Sequence, residues 1–282
     1  MDHELRPFFP ELSRFNSTRA LHASAVYKKL RSEIERVLQT VVCEDLAPEL
    51  TTAGSSIRAT AWNVERGTHL GPIIEILGEH SLIGGSDLYL LTELDLGMAR
   101  SHNRHVAREI GQALGLNYAF APCYIALNKG SGLEDQAPGE NVQSLHGNAL
   151  FSRHPVRDAH SIFLPNGKDL MRGKEKRLGS QCVVIATVDH PLGSFRAVSL
   201  HLDAQSSQQH RGRQMKIVLD HLKTLSPSLP VLLGGDWNTS TYNSSRAVYS
   251  ILGYCRRVLM GVNHVIDNHY TYPDRWFERH LF

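Results

Sequence analysis

The chain has few cysteines and no cysteine pair of the kind that marks a metal site or a disulfide framework. Its 282 residues contain four cysteines, all far apart and without a CxxC spacing: Cys43, Cys123, Cys182 and Cys255. Paired spacings are typical of zinc sites and of small disulfide-bonded domains, so the sequence indicates neither. With 41% hydrophobic residues, the chain is long enough to bury a substantial core.

Long apolar runs and an excess of charge of one sign are also missing. The N-terminal MDHELRP has no hydrophobic stretch like that of a signal peptide, and no run approaches the length of a membrane span. We therefore expect no transmembrane segment and a cytoplasmic location. The 30 Lys and Arg against 28 Asp and Glu give a net charge of +2. Charge alone does not indicate nucleic-acid binding, and it does not exclude a nucleic-acid substrate.

Residues 1–55 are predicted to form an N-terminal arm followed by an amphipathic helix. In the segment Thr18–Val42, apolar residues recur on one stripe and basic residues cover much of the other faces. Such a helix packs on its own domain or contacts a partner or membrane surface, and we expect the first. Residues 47–56, rich in Pro, Thr, Gly and Ser, predict a linker into a main domain of residues 56–282.

The main domain alternates apolar strand patterns with helical patterns. Helices are predicted at 69–79, 102–114 and 208–225, and strands at 57–62, 87–92, 118–127, 148–152, 156–163, 181–188, 194–202 and 231–233. This order predicts an α/β fold with mixed sheets, because one simple βαβ winding would contain fewer consecutive strands.

Polar side chains follow several of these strands where the apolar pattern stops. They are Asn63 and Glu65, Glu93, His201, and the pair Asp236 and Asn238. Strands that share one sheet edge would bring these side chains into one crevice, where ligands of open sheets bind. Each residue also has an ordinary structural explanation, such as an Asx turn at Asn63 or a solvated loop acid at Glu93.

The chemistry of this set points to a hard metal ion. It is rich in carboxylate and amide oxygens, has one imidazole and lacks thiolates, so Mg²⁺ or Mn²⁺ suits it better than Zn²⁺. Asp236 and Asn238 are two residues apart, and in extended backbone they would face the same side. There they could orient water and a phosphoryl group beside the ion.

Five blocks in this order resemble the endonuclease/exonuclease/phosphatase superfamily. The blocks are Asn-Val-Glu at 63–65, Leu-Leu-Thr-Glu at 90–93, Gly-Asn-Ala-Leu-Phe-Ser-Arg at 147–153, Val-Ser-Leu-His-Leu at 198–202 and Gly-Asp-Trp-Asn at 235–238. The resemblance implies two mixed β-sheets packed face to face with helices on the outer faces, a four-layer sandwich. It also implies metal-dependent hydrolysis of phosphate esters, most often phosphodiesters, by a nuclease-like, phospholipase-like or phosphatase-like enzyme.

The resemblance also assigns roles to residues. Glu93 is similar to the principal metal ligand, with Asn63 and Glu65 as its neighbours. The remaining roles are a water-orienting or water-deprotonating group at Asp236, its helper at Asn238, a histidine that stabilises phosphoryl oxygens at His201 and a phosphate contact at Asn148. Arg211 and Gln214 match a recurrent Arg-x-x-Gln, which we interpret as structural.

One expected feature of the family is missing near the C-terminus. Members normally finish with Ser-Asp-His, and the residues after Asn238 contain no such triplet. The nearest pair, Asp267 and His269, has a different spacing. We therefore expect a C-terminally incomplete domain. The alternative to an active enzyme is a non-catalytic or truncated member that keeps the fold and its binding of phosphate or metal.

Overall fold

The computed structural model describes residues 1–48, 56–238 and 247–261. By internal contacts these residues form two units. The first unit contains both β-sheets and the N-terminal helices. The described residues of the second unit are 164–168, 202–228, 237–238 and 247–261.

Six strands of the first unit form a large mixed sheet: β1 (Val42–Glu44), β2 (Ala59–Arg66), β3 (Leu88–Leu96), β4 (Asn117–Ala126), β5 (Leu145–Ser152) and, after an intervening β6, β7 (Arg177–Gly179). Their hydrogen-bonded order is β1–β4–β5–β3–β2, with β7 also paired to β4. β2 and β3 run parallel, whereas the other pairs are antiparallel. A parallel pair needs a crossover, and the chain between β2 and β3 provides one with a helix.

Four strands form a smaller mixed sheet: β6 (Val156–Phe163), β8 (Cys182–Val188), β9 (Phe195–His201) and β10 (Val231–Asp236). Their order is β10–β9–β8–β6, and β9 and β10 run parallel. The two sheets pack face to face through alternate residues of their strands, since successive side chains point to opposite faces. Leu88 and Leu90 of β3 thus meet Val184 and Ala186 of β8 in one buried cluster. The predicted pair of mixed sheets is confirmed.

Helices cover the other face of the large sheet. They are α1 (Phe9–Leu12), α2 (Thr18–Ala23), α3 (Ala25–Gln39), α4 (Leu70–Glu79) and α5 (Val106–Leu114). The apolar stripe of α3, which includes Leu30, Ile34 and Val37, is buried in the core that also holds Tyr89 and Leu91 of β3. The amphipathic helix therefore packs on its own domain, as expected. No helix in the described ranges is long and apolar enough to cross a membrane.

The N-terminal region differs in detail from the sequence prediction. The expected single helix is interrupted at Ser24, whose backbone is extended and whose hydroxyl accepts a hydrogen bond from the Tyr27 N–H at 3.2 Å. A Ser at this position caps the helix that follows, so α2 and α3 are separate. The chain then adds β1 to the large sheet. The predicted domain boundary at residue 55 falls in residues 49–55, outside the described part.

The second unit contains α6 (Gln208–Thr224) and α7 (Ala247–Met260). α6 was predicted as a helix from its pattern, and the Ser207 hydroxyl caps it by accepting from the His210 N–H at 3.2 Å. The Asp267 and His269 pair that the sequence offered in place of the missing triplet lies outside the described residues.

His105 caps the N-terminus of α5 with its imidazole ring. Its Nδ1 accepts a hydrogen bond from the Arg108 N–H at 3.2 Å, and the ring packs edge-on against Tyr118 and Phe120. Burial lowers the pKa of His105 to about 4, and the positive charge of Arg108 acts in the same direction. A protonated ring would lose the capping acceptor and face the positive end of the helix dipole.

Replacing His105 with Asn should therefore make the fold less sensitive to acid. Between about pH 6.5, where the unfolded ring titrates, and about pH 4, the unfolded chain binds the extra proton, so stability falls as pH decreases. Asn keeps a capping acceptor without titrating. Both proteins should lose stability between neutral pH and about pH 4. We expect the free energy of unfolding of the variant to fall by about 2 kcal/mol less than that of the parent. Urea denaturation at several pH values measures it.

His102→Asn is the matched control, because His102 is exposed and its left-handed φ of +59° suits Asn. An unchanged pH dependence in His105→Asn would show that the capping ring does not contribute.

Candidate active site

The side chain of Asn63 on β2 joins the two sheets at the candidate site. Its Nδ2 donates two hydrogen bonds of 2.9 Å, one to Glu93 Oε1 on β3 and one to Asp236 Oδ2 on β10. One amide thus holds two carboxylates from different sheets next to each other. The sequence predicted all three residues for one site, and the structure brings them together.

Glu93 reaches this position through an irregular backbone. It has a φ of +60° within β3, and the pairing of β3 with β5 shifts register between Leu91 and Leu94. The sequence placed Glu93 at the end of a strand, but β3 continues to Leu96, so that expectation was wrong. A β-bulge redirects a side chain without ending the strand. Left-handed backbone at a non-glycine residue costs roughly 1–3 kcal/mol, and such strain is concentrated at functional sites.

β2 carries a matching irregularity beside Glu93. Its pairing with β3 shifts register between Asn63 and Arg66, and Glu65 and Arg66 have φ values of +48° and +68°. The strand predicted to stop at Trp62 therefore also continues, to Arg66. The bulges of β2 and β3 are adjacent in the sheet and bend this edge of it. Asn63 and Glu93 project towards β10 there.

Two glycines bring Asp236 close to the large sheet. A Cβ on Gly234 would lie 2.8 Å from Leu90 Cδ1 and 3.1 Å from Ala61 Cβ, so β10 lies directly against β2 and β3. Gly235 has a φ of +129°, and a Cβ there would lie 2.0 Å from the Leu200 carbonyl oxygen. A larger residue at Gly234 would push β10 away from the large sheet, and one at Gly235 would clash with the backbone of β9.

His201 lies opposite Asp236 in the parallel pairing of β9 and β10. Its Nε2 is 3.7 Å from Asp236 Oδ2 and its Nδ1 is 3.9 Å from Glu93 Oε1. These distances exceed a direct hydrogen bond, so the ring faces both carboxylates without binding either of them directly. The residue is only 7% exposed.

Glu93 is held in its ionised form despite being largely buried. Burial raises the pKa of this carboxyl group, but attraction from His146, His201 and Arg66 and the hydrogen bond from Asn63 outweigh that effect and leave the pKa lowered. A buried anion with cationic groups nearby is typical of a functional site.

Arg66 connects Glu93 to a second group of charges. Its Nη1 lies 3.8 Å from Glu93 Oε2, and its Nε lies 2.7 Å from Glu134 Oε1. The other oxygen of Glu134 lies 3.3 Å from Nη1 of Arg100, which also pairs with Glu175 Oε1 at 3.1 Å. Charges therefore alternate in sign along this chain of contacts, leading away from the site.

Asp95 is the fully buried partner at the end of this network. It accepts two hydrogen bonds from Arg100, of 2.8 and 2.9 Å, and its Oδ1 lies 2.7 Å from His146 Nδ1. Burial raises the pKa of Asp95, but these hydrogen bonds hold it below its ordinary value. Sequence reasoning missed this network, although an Asp between Leu94 and Leu96 in a buried strand was a usable signal.

Asn148 supports the backbone of Glu93. Its Oδ1 accepts a hydrogen bond from the Glu93 N–H at 3.3 Å, and its Nδ2 donates to the Cys182 carbonyl oxygen at 2.8 Å. The residue is 1% exposed. The geometry thus gives Asn148 a positioning role, because both ends of its amide are bound within the protein, and the phosphate contact suggested by the family resemblance stays a prediction.

Glu65 and Asn238 are placed differently from the central group. Glu65 is exposed and contributes its backbone N–H, which donates to Asn63 Oδ1 at 3.0 Å. Asn238 belongs to the second unit, where its Nδ2 donates to the Leu202 carbonyl oxygen at 2.8 Å. Their roles as metal neighbour and phosphate helper stay predictions.

Arg211 and Gln214 are structural, as predicted. Both are fully buried in α6. Gln214 accepts from the Asp203 N–H at 3.0 Å and donates to the Pro165 carbonyl oxygen at 2.8 Å, while Arg211 donates to the Ser206 carbonyl oxygen at 2.9 Å. These bonds fix the loops around the start of α6 in the second unit.

The donor set decides which metal the site would hold. Among the described residues, no three His, Cys, Asp or Glu side chains are grouped so as to hold a metal ion. Zn²⁺ is usually bound by thiolates and imidazoles, whereas Glu93 and Asp236 offer carboxylate oxygens. Mg²⁺ is usually held by one or two carboxylates, with water and phosphate completing its shell. Glu93 and Asp236 supply carboxylate oxygens of this kind, whereas Asn63 turns its Nδ2 to them and its Oδ1 accepts from the Glu65 N–H. Mn²⁺ accepts the same oxygen ligands.

The chain belongs to the Endonuclease/Exonuclease/phosphatase family, whose sequence model matches residues 60–280. The match includes every residue of the predicted site. The family is one of phosphoesterases, which hydrolyse phosphate esters and generally depend on a divalent metal ion. No protein of curated function matches the chain.

Several solved structures are similar to this chain. The human Nocturnin catalytic domain with bound sulfate is 20% identical with a TM-score of 0.45, covering 71% of this chain and 68% of its own. A Bacteroides thetaiotaomicron mannosyl-6-phosphatase is 17% identical with a TM-score of 0.42, covering 65% and 66%. D. rerio TDP2 complexed with a single-strand DNA product is 17% identical with a TM-score of 0.40, covering 66% and 62%. The chain thus spans about two thirds of their lengths.

Removing the Asn148 side chain should affect stability and metal binding together. Asn148→Ala leaves the Glu93 N–H and the Cys182 carbonyl without their partner, which costs about 2 kcal/mol in the free energy of unfolding. Because the backbone of Glu93 loses its support, we expect Mn²⁺ affinity to fall by about tenfold or more, as measured by calorimetry.

Asn117→Ala is the matched control for Asn148→Ala. Asn117 is also a buried amide on a strand, and it binds the Leu46 N–H, the Ala47 N–H and the His154 carbonyl oxygen instead. We expect it to lose stability without losing Mn²⁺ affinity. Equal losses of affinity in the two variants would exclude a positioning role for Asn148.

Proposed function

We propose that the protein is a divalent-metal-dependent hydrolase of phosphate esters, acting on phosphodiesters in particular. The observation that carries this proposal is the amide of Asn63, which holds Glu93 and Asp236 together 3.7–3.9 Å from the ring of His201. Two carboxylates, an amide and an imidazole are the groups needed to hold a hard cation, orient water and neutralise charge on a phosphoryl group.

The proposed roles follow from position and chemistry. Glu93 holds Mg²⁺ or Mn²⁺, and Asn63 joins it as a ligand when its amide oxygen turns towards the ion. The bound ion would neutralise charge that develops on the phosphoryl oxygens. Asp236, the more exposed carboxylate at 28% against 20% for Glu93, orients and deprotonates the attacking water. His201 donates a hydrogen bond to a non-bridging oxygen. Asn238 follows Asp236 by two residues and assists at the phosphate.

A non-catalytic family member that keeps metal or phosphate binding is the competing function. Hydrolysis of a generic chromogenic phosphodiester, with Mg²⁺, with Mn²⁺ and with chelator, separates the two. Turnover that requires added metal supports the enzyme. Metal binding by calorimetry without turnover on mono- and diester substrates would favour the non-catalytic protein.

Glu93→Gln should abolish most of the metal-dependent activity and leave the fold intact. The substitution keeps the size of the side chain and its acceptor for Asn63, but it removes the charge that attracts the cation. Loss of metal-mediated charge stabilisation corresponds to about a hundredfold or more in rate. Steady-state hydrolysis and a Mn²⁺ titration measure the effect, and a thermal melt checks the fold.

Glu79→Gln is the control for this charge change, because Glu79 is an exposed residue of α4. Glu93→Gln with parental activity and the same Mg²⁺ dependence would remove Glu93 from the metal site.

Asp236→Asn should slow the reaction without weakening metal binding to the same degree. Loss of a general base costs roughly a hundredfold to ten-thousandfold in rate. The new amide can still present its oxygen to Asn63 Nδ2, so the packing of β10 is preserved. We expect kcat to fall while KM changes little, measured on the phosphodiester substrate.

Asp158→Asn provides the matched control, since Asp158 is exposed and its left-handed φ of +54° is well tolerated by Asn. Turnover of Asp236→Asn within a few-fold of the parent would exclude Asp236 as the water-activating group.

A further inference from the structure

Cys123 on β4 and Cys182 on β8 face each other between the two sheets. Their Sγ atoms are 3.0 Å apart, and the residues are 1% and 0% exposed. The contact is shorter than the roughly 3.5–4.0 Å of ordinary van der Waals packing. Both are free thiols. No sequence pattern predicts this pair, because 59 positions separate the two cysteines.

The backbone around the pair holds both sulfur atoms in place. Cys123 lies where the pairing of β4 with β5 shifts register, between Pro122 and Tyr124, so it is the bulged residue of its strand. Cys182 is the first residue of β8, and its carbonyl oxygen accepts from Asn148 Nδ2. Neither residue lies in a loop that would draw the sulfur atoms apart.

We propose that Cys123 and Cys182 form a disulfide bond between the two sheets when the chain meets a small-molecule disulfide as oxidant. The two S–H bonds of the protein break and one S–S bond forms between Cys123 and Cys182. Two electrons and two protons pass to the oxidant, whose own S–S bond breaks to give two thiols. The sulfur atoms need to approach by only about 1 Å to reach bonding distance.

The environment sets the conditions under which the bond forms. Burial in the apolar intersheet core raises the pKa of the Cys182 thiol, so little of the reactive thiolate is present in the folded chain. Oxidation of the native protein is therefore slow and requires opening between the sheets. Refolding in the presence of the oxidant lets the thiols react before the core closes.

The bond would join the sheets next to the candidate site. Asn148 donates to the Cys182 carbonyl oxygen and accepts from the Glu93 N–H, so one side chain separates the pair from Glu93. The bridge closes a long loop of chain and restricts the unfolded state accordingly.

The test uses the full chain with Cys43→Ser and Cys255→Ser, because those two cysteines are exposed and would form bonds between molecules. One sample is incubated in the native state with glutathione disulfide, and another is refolded from urea with the same reagent. Free thiols are then alkylated, and the bridge is mapped by peptide mass spectrometry. Matched controls carry Cys123→Ala or Cys182→Ala in the same background.

We expect a peptide linked through Cys123 and Cys182 in the refolded sample, formed more slowly in the native one. The oxidised protein should melt about 5–15 °C higher than the reduced protein, and a reductant should reverse the shift. Neither alanine variant should change its melting temperature on oxidation. The proposal is overturned if both thiols stay alkylatable in both samples, or if glutathione adducts accumulate on either cysteine without the linked peptide.

Discussion

The left-handed backbone of Glu93 is the constraint on which the candidate site depends. A charged residue with a φ of +60° inside a buried strand is unfavourable by roughly 1–3 kcal/mol, so the surrounding structure must enforce it. The register shift against β5 creates the conformation, and Asn148 binds the N–H that the bulge turns away from the ladder. Without the bulge, the alternation of β3 would direct this side chain to the helix-covered face, where Tyr89 and Leu91 lie, rather than towards Asp236.

Electrostatics explains why two carboxylates can stand together in such a buried place. Like charges at short range repel, and burial penalises each of them further. The hydrogen bonds from Asn63 satisfy one oxygen of each carboxylate, and His201 faces both. Arg66 and the charges beyond it surround Glu93 from the other side. The result is a pair of neighbouring carboxylates, and the pKa of Glu93 is lowered by these contacts.

The sequence predicted the framework well because the framework follows from periodicity. Buried strands such as β4 and β8 are continuous apolar runs, and their positions were correct to within a residue or two. The proximity of Asn63, Glu93, His201 and Asp236 was also predicted, because polar groups follow those runs, and their catalytic roles stay predictions. Periodicity does not reveal the register in which two strands pair. The extents of β2 and β3 were wrong, since a bulge arises from pairing between strands and leaves no local pattern in either of them.

Short elements and long-range contacts were missed for related reasons. β1 and β7 have three residues each, too few for an alternation to be recognised. The contact of Cys123 with Cys182 and that of Asp95 with His146 join residues that are distant along the chain. Asn148 was singled out by the resemblance, but its partners are a backbone N–H and a backbone carbonyl, which no residue pattern reveals.

The packing between the two sheets and the geometry of the candidate site therefore depend on each other. Besides the hydrogen bond from Asn63 to Asp236, two polar contacts cross or reach the intersheet space near Glu93: the Ser199 hydroxyl donates to the Leu91 carbonyl oxygen at 3.1 Å, and Asn148 links the Glu93 N–H to Cys182. The Ser199 contact lies just before the bulge of β3, and the Asn148 contact lies at the bulge. A change in the distance between the sheets would shift both contacts, and the carboxylate of Glu93 would shift with them. Substitutions in this part of the core should thus change the position of Glu93 without contacting it. The free-energy changes of two such substitutions should not be additive.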